Sequence, residues 1–270
     1  MFGIGVGIRV GGRTPVGGSA YDADAQAFFD RVTTAGGTLT TTEKNATNQL
    51  VLDMKSAGIW SSMKAIYPMV GSSAASCAQN LKSSSFTGTF TSGWTFSASG
   101  IKGNGTTTYM NTFLSPNGNI SLNSGHLSYY TNENVKIGAF QIGVFGNNAV
   151  TMLGARFDAT RNYIGINTTG DVLNSETNNV NSFVCLSRIS STEFKYYKQN
   201  TTFQTITNNS FQLSGNNIYI GALNLDGTTA FLPDTARCAF ASIGLGLTDT
   251  ENSNLYTAVQ AFQTTLNRQV

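Results

Sequence analysis

Charge is what this sequence has least of. It carries 16 Lys and Arg and 14 Asp and Glu in 270 residues, and this 11% compares with ~25% in typical globular domains. The net charge of +2 is small and scattered, which argues against nucleic acid and anionic membrane surfaces as partners. Cysteine is scarce and odd in number. Cys77, Cys185 and Cys238 form no CxxC pair, so neither a zinc site nor a secreted disulfide framework is expected. Cys185 (FVCL) and Cys238 (RCAFA) sit in apolar runs and read as buried free thiols. No run approaches the ~20 apolar residues of a transmembrane helix, so no membrane insertion is expected. The opening MFGIGVGIRV lacks a charged n-region, and glycine interrupts any helical h-region. It is not read as a signal peptide.

The chain makes up its polarity with Asn, Thr and Ser, while 40% of it is apolar. That composition suits a rigid β protein rather than a disordered one. Residues 1–20 form a glycine-rich arm ending in GGRTPVGGS. DADAQAFFDRV follows, with an acidic cap and first turn, then Phe28, Phe29 and Val32, and a stop at Gly36-Gly37. Thr40-x-x-Glu43 is a capping box that opens a second helix through Ala46, Leu50, Val51 and Met54, closed by Gly58. The two make a helical hairpin over 22–58, inside a segment 21–82. Between 83 and 247 the helical period gives way to short alternating runs such as HLSYYT, AFQIGVF, NYIGIN and CAFASIGLGL. Clusters such as PNGN, GNN and SGNN separate them, the pattern of a β-sandwich or jelly roll. From 248 to 270 the chain is helical again. Thr248-x-x-Glu251 is a second capping box, Leu255, Val259, Phe262 and Leu266 form one stripe, and Arg268 suits the C-terminal dipole.

Three blocks resemble a recurrent module of bacteriophage virion proteins: YDADAQAFFDRV…NQLVLDMKSAGIWSSMKAIYPMVG, GWTFSASGIKGNGTTTYMNTFLSPN…NSGHLSYYT and LTDTENSNLYTAVQAFQTTLNRQV. Similar modules occur in tail, fibre and minor structural proteins, including those of crAss-like phages. The strand section looks like a concanavalin A-like, laminin-G-type jelly roll. The resemblance covers about Tyr21 to Val270. It implies a mainly β virion structural protein, assembled in the host cytoplasm. It is compatible with a head fibre, spike, capsid decoration or tail component, built as a homo-oligomer with a trimer favoured.

The chemistry-bearing residues point to binding rather than turnover. Retaining glucanases on this fold need two carboxylates ~5–5.5 Å apart, hence acids two or four apart on a strand face. The acids of the strand section are Glu133, Asp158, Asp171, Glu176, Glu193, Asp226 and Asp234. No two have that spacing. His126, the single histidine, has no GxSxG partner motif, so it reads as structural. GIGVGI lies at the terminus and opens no βαβ unit, which removes a dinucleotide reading. No cofactor or metal is expected. In the arm, Phe2, Ile4, Val6, Ile8 and Val10 alternate with glycine or Arg9. One apolar face beside bare backbone suits β-augmentation. Residues 1–12 are therefore expected to dock on other virion proteins, the alternative being an edge strand of the same domain. A second reading is a glycan-binding adhesin for a host surface glycan. It rests on stacking and amide groups, with Trp94, Tyr129, Tyr130, Asn147 and Asn148 as candidates. A cleft lined by an aromatic and two or more Asn or Asp would mark it.

Overall fold

In the computed structural model the described residues are 21–134, 138–155, 161–170, 172–175 and 181–270. The arm, with Phe2, Ile4, Val6, Ile8 and Val10, lies outside them. The elements begin with α1 (Ala23–Thr34), α2 (Thr41–Ser56), β1 (Met63–Tyr67) and α3 (Ala74–Cys77). Then come β2 (Thr89–Phe90), β3 (Thr95–Ser97), β4 (Gly100–Lys102), β5 (Met110–Asn111), β6 (Gly125–Thr131), β7 (Ile142–Gly146), β8 (Ala149–Gly154), β9 (Arg161–Thr168) and β10 (Val172–Ser175). The chain continues through β11 (Phe183–Arg188), β12 (Glu193–Lys198), β13 (Thr201–Thr207), β14 (Tyr219–Ile220), β15 (Leu223–Leu225), β16 (Thr229–Phe231), β17 (Arg237–Gly244) and α4 (Asp249–Thr265).

The helices start and stop where local chemistry dictates. Asp22 caps α1, its carboxylate accepting from Asp24 N–H at 3.0 Å. Both capping boxes are closed: Thr40 and Glu43 on α2, Thr248 and Glu251 on α4. Gly36 and Gly58 take φ of +82° and +74° just past α1 and α2, a conformation glycine adopts without steric penalty.

The strands form a jelly-roll-like β-sandwich. Among the described residues one sheet runs β13-β12-β11-β6-β17-β4-β3, with β1 also on β17. The other runs β10-β9-β8-β7-β14-β5-β2, with the β15–β16 hairpin beside β7. Alternation decides what fills the space between them. Leu127 and Tyr129 of β6, Val184 and Leu186 of β11, and Ala241 and Ile243 of β17 point inward against Ile142, Val144, Leu153, Ile164 and Ile166. The opposite face of the first sheet is buried too. There Tyr130, Phe183, Cys185, Tyr197 and Phe240 meet Phe28, Phe29, Leu50, Met54, Leu255, Val259 and Phe262 of the helices. A sheet covered on both faces reads as near-continuous apolar strands, and β6 and β11 are buried at every position.

Three details differ from the sequence reading. The sandwich begins at β1, not at residue 83. Met63–Tyr67 pairs antiparallel with β17, and a continuous apolar run carries no signal that separates a strand from a helix-to-strand linker. Leu266 is only half-buried, because it is the C-cap where α4 ends. Arg268 lies beyond that end and is buried. Its guanidinium donates to the carbonyls of Pro68 (2.7 Å), Met69 (2.9 Å) and Ala239 (2.8 Å). Helix, loop and sheet are thereby pinned together. The three cysteines are free and buried.

Candidate functional site

The proposed glycan-contact residues fall in three different places. Tyr129 and Tyr130 are 1% and 0% exposed. Neither offers a face to a ligand, which removes both as stacking platforms. The cause is the double burial of β6: Tyr129 fills the space between the sheets and Tyr130 the layer under the helices. Even the Tyr130 hydroxyl is engaged, donating to Gln260 Oε1 (3.1 Å) and accepting from Val270 N–H (3.0 Å).

Trp94 is half-buried. Its Nε1–H donates to the Tyr109 carbonyl at 3.3 Å. The ring meets Phe90 edge-on with centroids 5.5 Å apart. It also lies against Gly221, where any Cβ would come within 2.6 Å of Trp94 Cη2. With Phe86, Phe90 and Phe96 it plugs the side of the sandwich where β2 and β3 are the outermost strands.

Asn147 and Asn148 form the two-residue turn between β7 and β8, with φ of +55° and +60°. This double left-handed conformation is the one that favours asparagine in tight hairpins. Both side chains are exposed. β14 pairs Tyr219 with Gly143 and Ile220 with Ile142, so Gly221 and Trp94 sit at the start of β7 and the Asn turn at its finish. Trp94 and the asparagines therefore belong to opposite ends of one strand.

What gathers around the Asn turn is an end of the sandwich built from three segments, 111–124, 145–149 and 208–218. The first and third are zipped together. Ile218 N–H donates to Leu114 O (2.8 Å), Asn117 N–H to Ser214 O (3.0 Å), and Ser210 Oγ to Asn123 Oδ1 (2.6 Å). The turn joins through Gln212 Nε2, which donates to Asn147 O. These three segments contain no ionisable side chain and ten asparagines. The amides of Asn117, Asn147, Asn148 and Asn209 are exposed and engage no other described group. Phe113 and Phe211 stand at the two ends of the zipped pair, 50% and 45% exposed. Phe113 also holds φ at +57°, a left-handed backbone that costs a bulky residue roughly 1–2 kcal/mol. The strands beneath are firmly set: Asn167 donates to Ser121 O (3.1 Å) and Leu122 O (3.0 Å) and accepts from Thr151 (2.9 Å).

Sequence reasoning missed Phe113 and Phe211. A signal was there. In NTFLSPNGN and NNSFQLSGNN a phenylalanine stands inside a turn-forming cluster, where no alternating strand face exists to bury it.

The remaining chemistry is committed elsewhere. Glu133 pairs with Lys102 (2.7 Å) and Arg237 (3.3 Å). Buried Asp234 accepts from Gln141 Nε2 (2.8 Å) and Ala236 N–H (3.0 Å). His126 donates Nδ1–H to Leu245 O (2.6 Å), and burial lowers its pKa to about 4. Asp158, Asp171 and Glu176 lie outside the described residues. Among the described residues no three of His, Cys, Asp or Glu gather as a metal centre would require, and no helix is long and apolar enough to cross a membrane. Two surface cavities of about 340 Å³ flank α2, one at Thr38, Glu43, Ser72 and Leu266, the other at Asp53, Ala57, Asn254 and Ala261. Neither has an aromatic in its lining.

No protein-family model matches the chain, and no curated protein does. Solved structures do. A Trypanosoma rangeli sialidase in complex with sialic acid superposes with a TM-score of 0.51 at 10% identity, over 73% of this chain and 33% of that one. Domain 4 of AbnA, a GH43 extracellular arabinanase from Geobacillus stearothermophilus, in complex with arabinotriose, gives 0.46 at 12% identity, over 72% and 97%. The binding domain of botulinum neurotoxin serotype D gives 0.48 at 9%, over 74% and 52%. The chain thus spans about a third of the sialidase and half of the toxin domain's chain. At these identities the likeness is one of fold.

Proposed function

We propose that this chain is a glycan-binding β-sandwich module displayed on a phage particle, where it serves as a surface structural protein and adhesin. The observation that carries the glycan reading is the uncharged, asparagine-rich end with two exposed phenylalanines. Sugar hydroxyls both donate and accept, as amides do, and the C–H face of a sugar ring packs on an aromatic ring as other apolar surface does. Among the described residues the three segments carry no cation, and Arg188, which donates to Asn208 O at 2.9 Å, is buried and engaged by carbonyls, so the chemistry favours neutral sugars over sialic acid. Binding without hydrolysis is the reading supported by the described acids, which are held in ion pairs and buried hydrogen bonds or stand singly.

The virion reading is supported by the sequence blocks that resemble phage modules and by the arm at 1–12, whose Phe2, Ile4, Val6, Ile8 and Val10 suit docking on another virion protein. The test is a glycan array followed by titration calorimetry. We expect binding to neutral glycans, with no reducing ends released. Phe211→Ala should weaken binding about tenfold, equivalent to ~1.4 kcal/mol, with the thermal transition unchanged. A preference for sialylated glycans, or full affinity in Phe211→Ala with Asn147→Ala, would place the site elsewhere.

A further inference from the structure

The Asn turn has a second neighbour. β15 runs parallel to β7 with Leu225 beside Phe145, so the turn that joins β15 to β16 emerges next to the one that joins β7 to β8. Its tip is Asp226-Gly227, with φ of +52° and +76° and with Thr228 N–H donating to Leu225 O at 3.2 Å. This is the two-residue hairpin geometry that Asp-Gly adopts readily. Three further bonds fix the tip on the end of the sandwich. Asp226 N–H donates to Phe145 O (2.9 Å), Gly227 N–H to Asn224 Oδ1 (3.0 Å), and Asn224 Nδ2 to Asn217 O (2.7 Å). The Asn216 amide lies between the two turns. A Cβ on Gly146 would collide with its Nδ2, and one on Gly227 would come within 3.0 Å of its Oδ1. Residues 224–227 therefore belong to the same end as the three segments above, and across all four Asp226 is the single ionisable residue. It is exposed, and its carboxylate engages no other described group.

We propose that Asp226 selects the sugar. The inference rests on the glycan reading above: the two carboxylate oxygens accept from a pair of neighbouring hydroxyls on a neutral sugar, beside the Asn216 amide, and the charge turns away sialylated and uronate-bearing glycans. Turn chemistry alone asks for no charge here, because Asn147 and Asn148 hold the neighbouring turn in a double left-handed conformation without one. A carboxylate differs from an amide in two respects that matter to a ligand. Ionised, it only accepts, and it can do so on two oxygens at once, in bonds about twice as strong as neutral ones. It also repels another carboxylate. Lack of a cation merely fails to attract an acidic sugar, whereas a fixed anion rejects it, and selectivity commonly needs such a repulsive element.

The test is an array on which each neutral glycan is printed beside its sialylated or uronate-bearing counterpart, read with the full chain and with D226N. The neutral glycan that gives the strongest signal is then titrated by calorimetry. D226N keeps the shape of the side chain and tolerates the left-handed turn, so its thermal transition should match wild type. Wild type should prefer each bound neutral glycan over its acidic counterpart, and this preference should shrink in about 1 M salt, which screens exposed charge. D226N should bind the neutral glycan about tenfold more weakly, the scale of one hydrogen bond to a charged group. It should also lose most of the preference. If D226N keeps full affinity, or keeps the preference undiminished, the proposal is overturned while glycan binding itself stands. If wild type binds no glycan on the array, both readings fall.

Discussion

The single histidine shows how much a buried polar residue is constrained by its neighbours. His126 is 1% exposed. Its Nδ1 lies 2.6 Å from the Leu245 carbonyl, which can only accept, so Nδ1 carries the proton. Nε2 must then accept from Ser242 Oγ at 3.0 Å, and Ser242 in turn accepts from Ser128 Oγ at 2.6 Å. A second proton on the ring would break this chain, and burial lowers its pKa from 6.5 to about 4. The folded protein keeps His126 neutral while the unfolded chain protonates near the ordinary value. Stability from this group is complete above about pH 6.5 and declines as pH falls toward 4, by on the order of 3 kcal/mol. Urea unfolding of wild type and His126→Gln at pH 7 and pH 4.5 measures it. The variant should be less stable at pH 7 and lose less between the two pH values. Parallel losses in both proteins would assign the acid sensitivity to carboxylates. Arg268 and Arg188 follow the same logic with charge: Arg188 donates to the carbonyls of Ile166 (2.7 Å), Ser190 (3.0 Å) and Asn208 (2.9 Å), and Arg268 to three carbonyls and the Gln263 amide oxygen, so neither guanidinium relies on an acid.

At the scale of the element, α4 is held at three points. Its capping box fixes the start. Asp249 in its first turn accepts from Lys195 and from the Tyr197 hydroxyl, each at 2.8 Å. Those contacts hold its carboxyl below the usual range and tie the helix to β12. Along its length Leu255, Val259 and Phe262 enter the layer above the first sheet. Phe262 is 2% exposed, with the Arg268 guanidinium 5.2 Å from its ring centroid. Replacing it with alanine should cost ~3–5 kcal/mol, read as a lower urea midpoint at unchanged slope. A cost below ~1 kcal/mol would mean that α4 contributes little to the body.

For the whole molecule, the first sheet is the middle of three layers, with the second sheet beneath it and α1, α2 and α4 above. β6 and β11 send alternate residues into both interfaces, so neither layer can melt without exposing the back of the same strands. We expect one cooperative thermal transition, with helical and strand circular dichroism signals superimposed and calorimetric and van't Hoff enthalpies equal. Earlier loss of the helical signal would identify the helices as a separate folding unit.

Local signals were legible in the sequence because they are local chemistry. The two capping boxes, the glycine stops, the helical stripes and the alternating runs act over a few residues, and the structure keeps them where the pattern put them, apart from Leu266 at the end of the α4 stripe. The sandwich class follows from many short strands between turn clusters. The two faces of β6 were not legible: HLSYYT alternates, yet no neighbour in sequence tells that helices will cover the second face and bury Tyr130 as fully as Tyr129. Nor does a run such as MKAIY show that β1 will pair with β17, since that contact joins residues about 180 positions apart. The exposed end follows the same rule. Asn147 and Asn148 announce a turn, but only the folding of 208–218 against 111–124 brings Gln212 onto that turn. Short-range preference sets each element's type; which faces meet and which stay in water is decided by packing between distant segments, and there the candidate site is made.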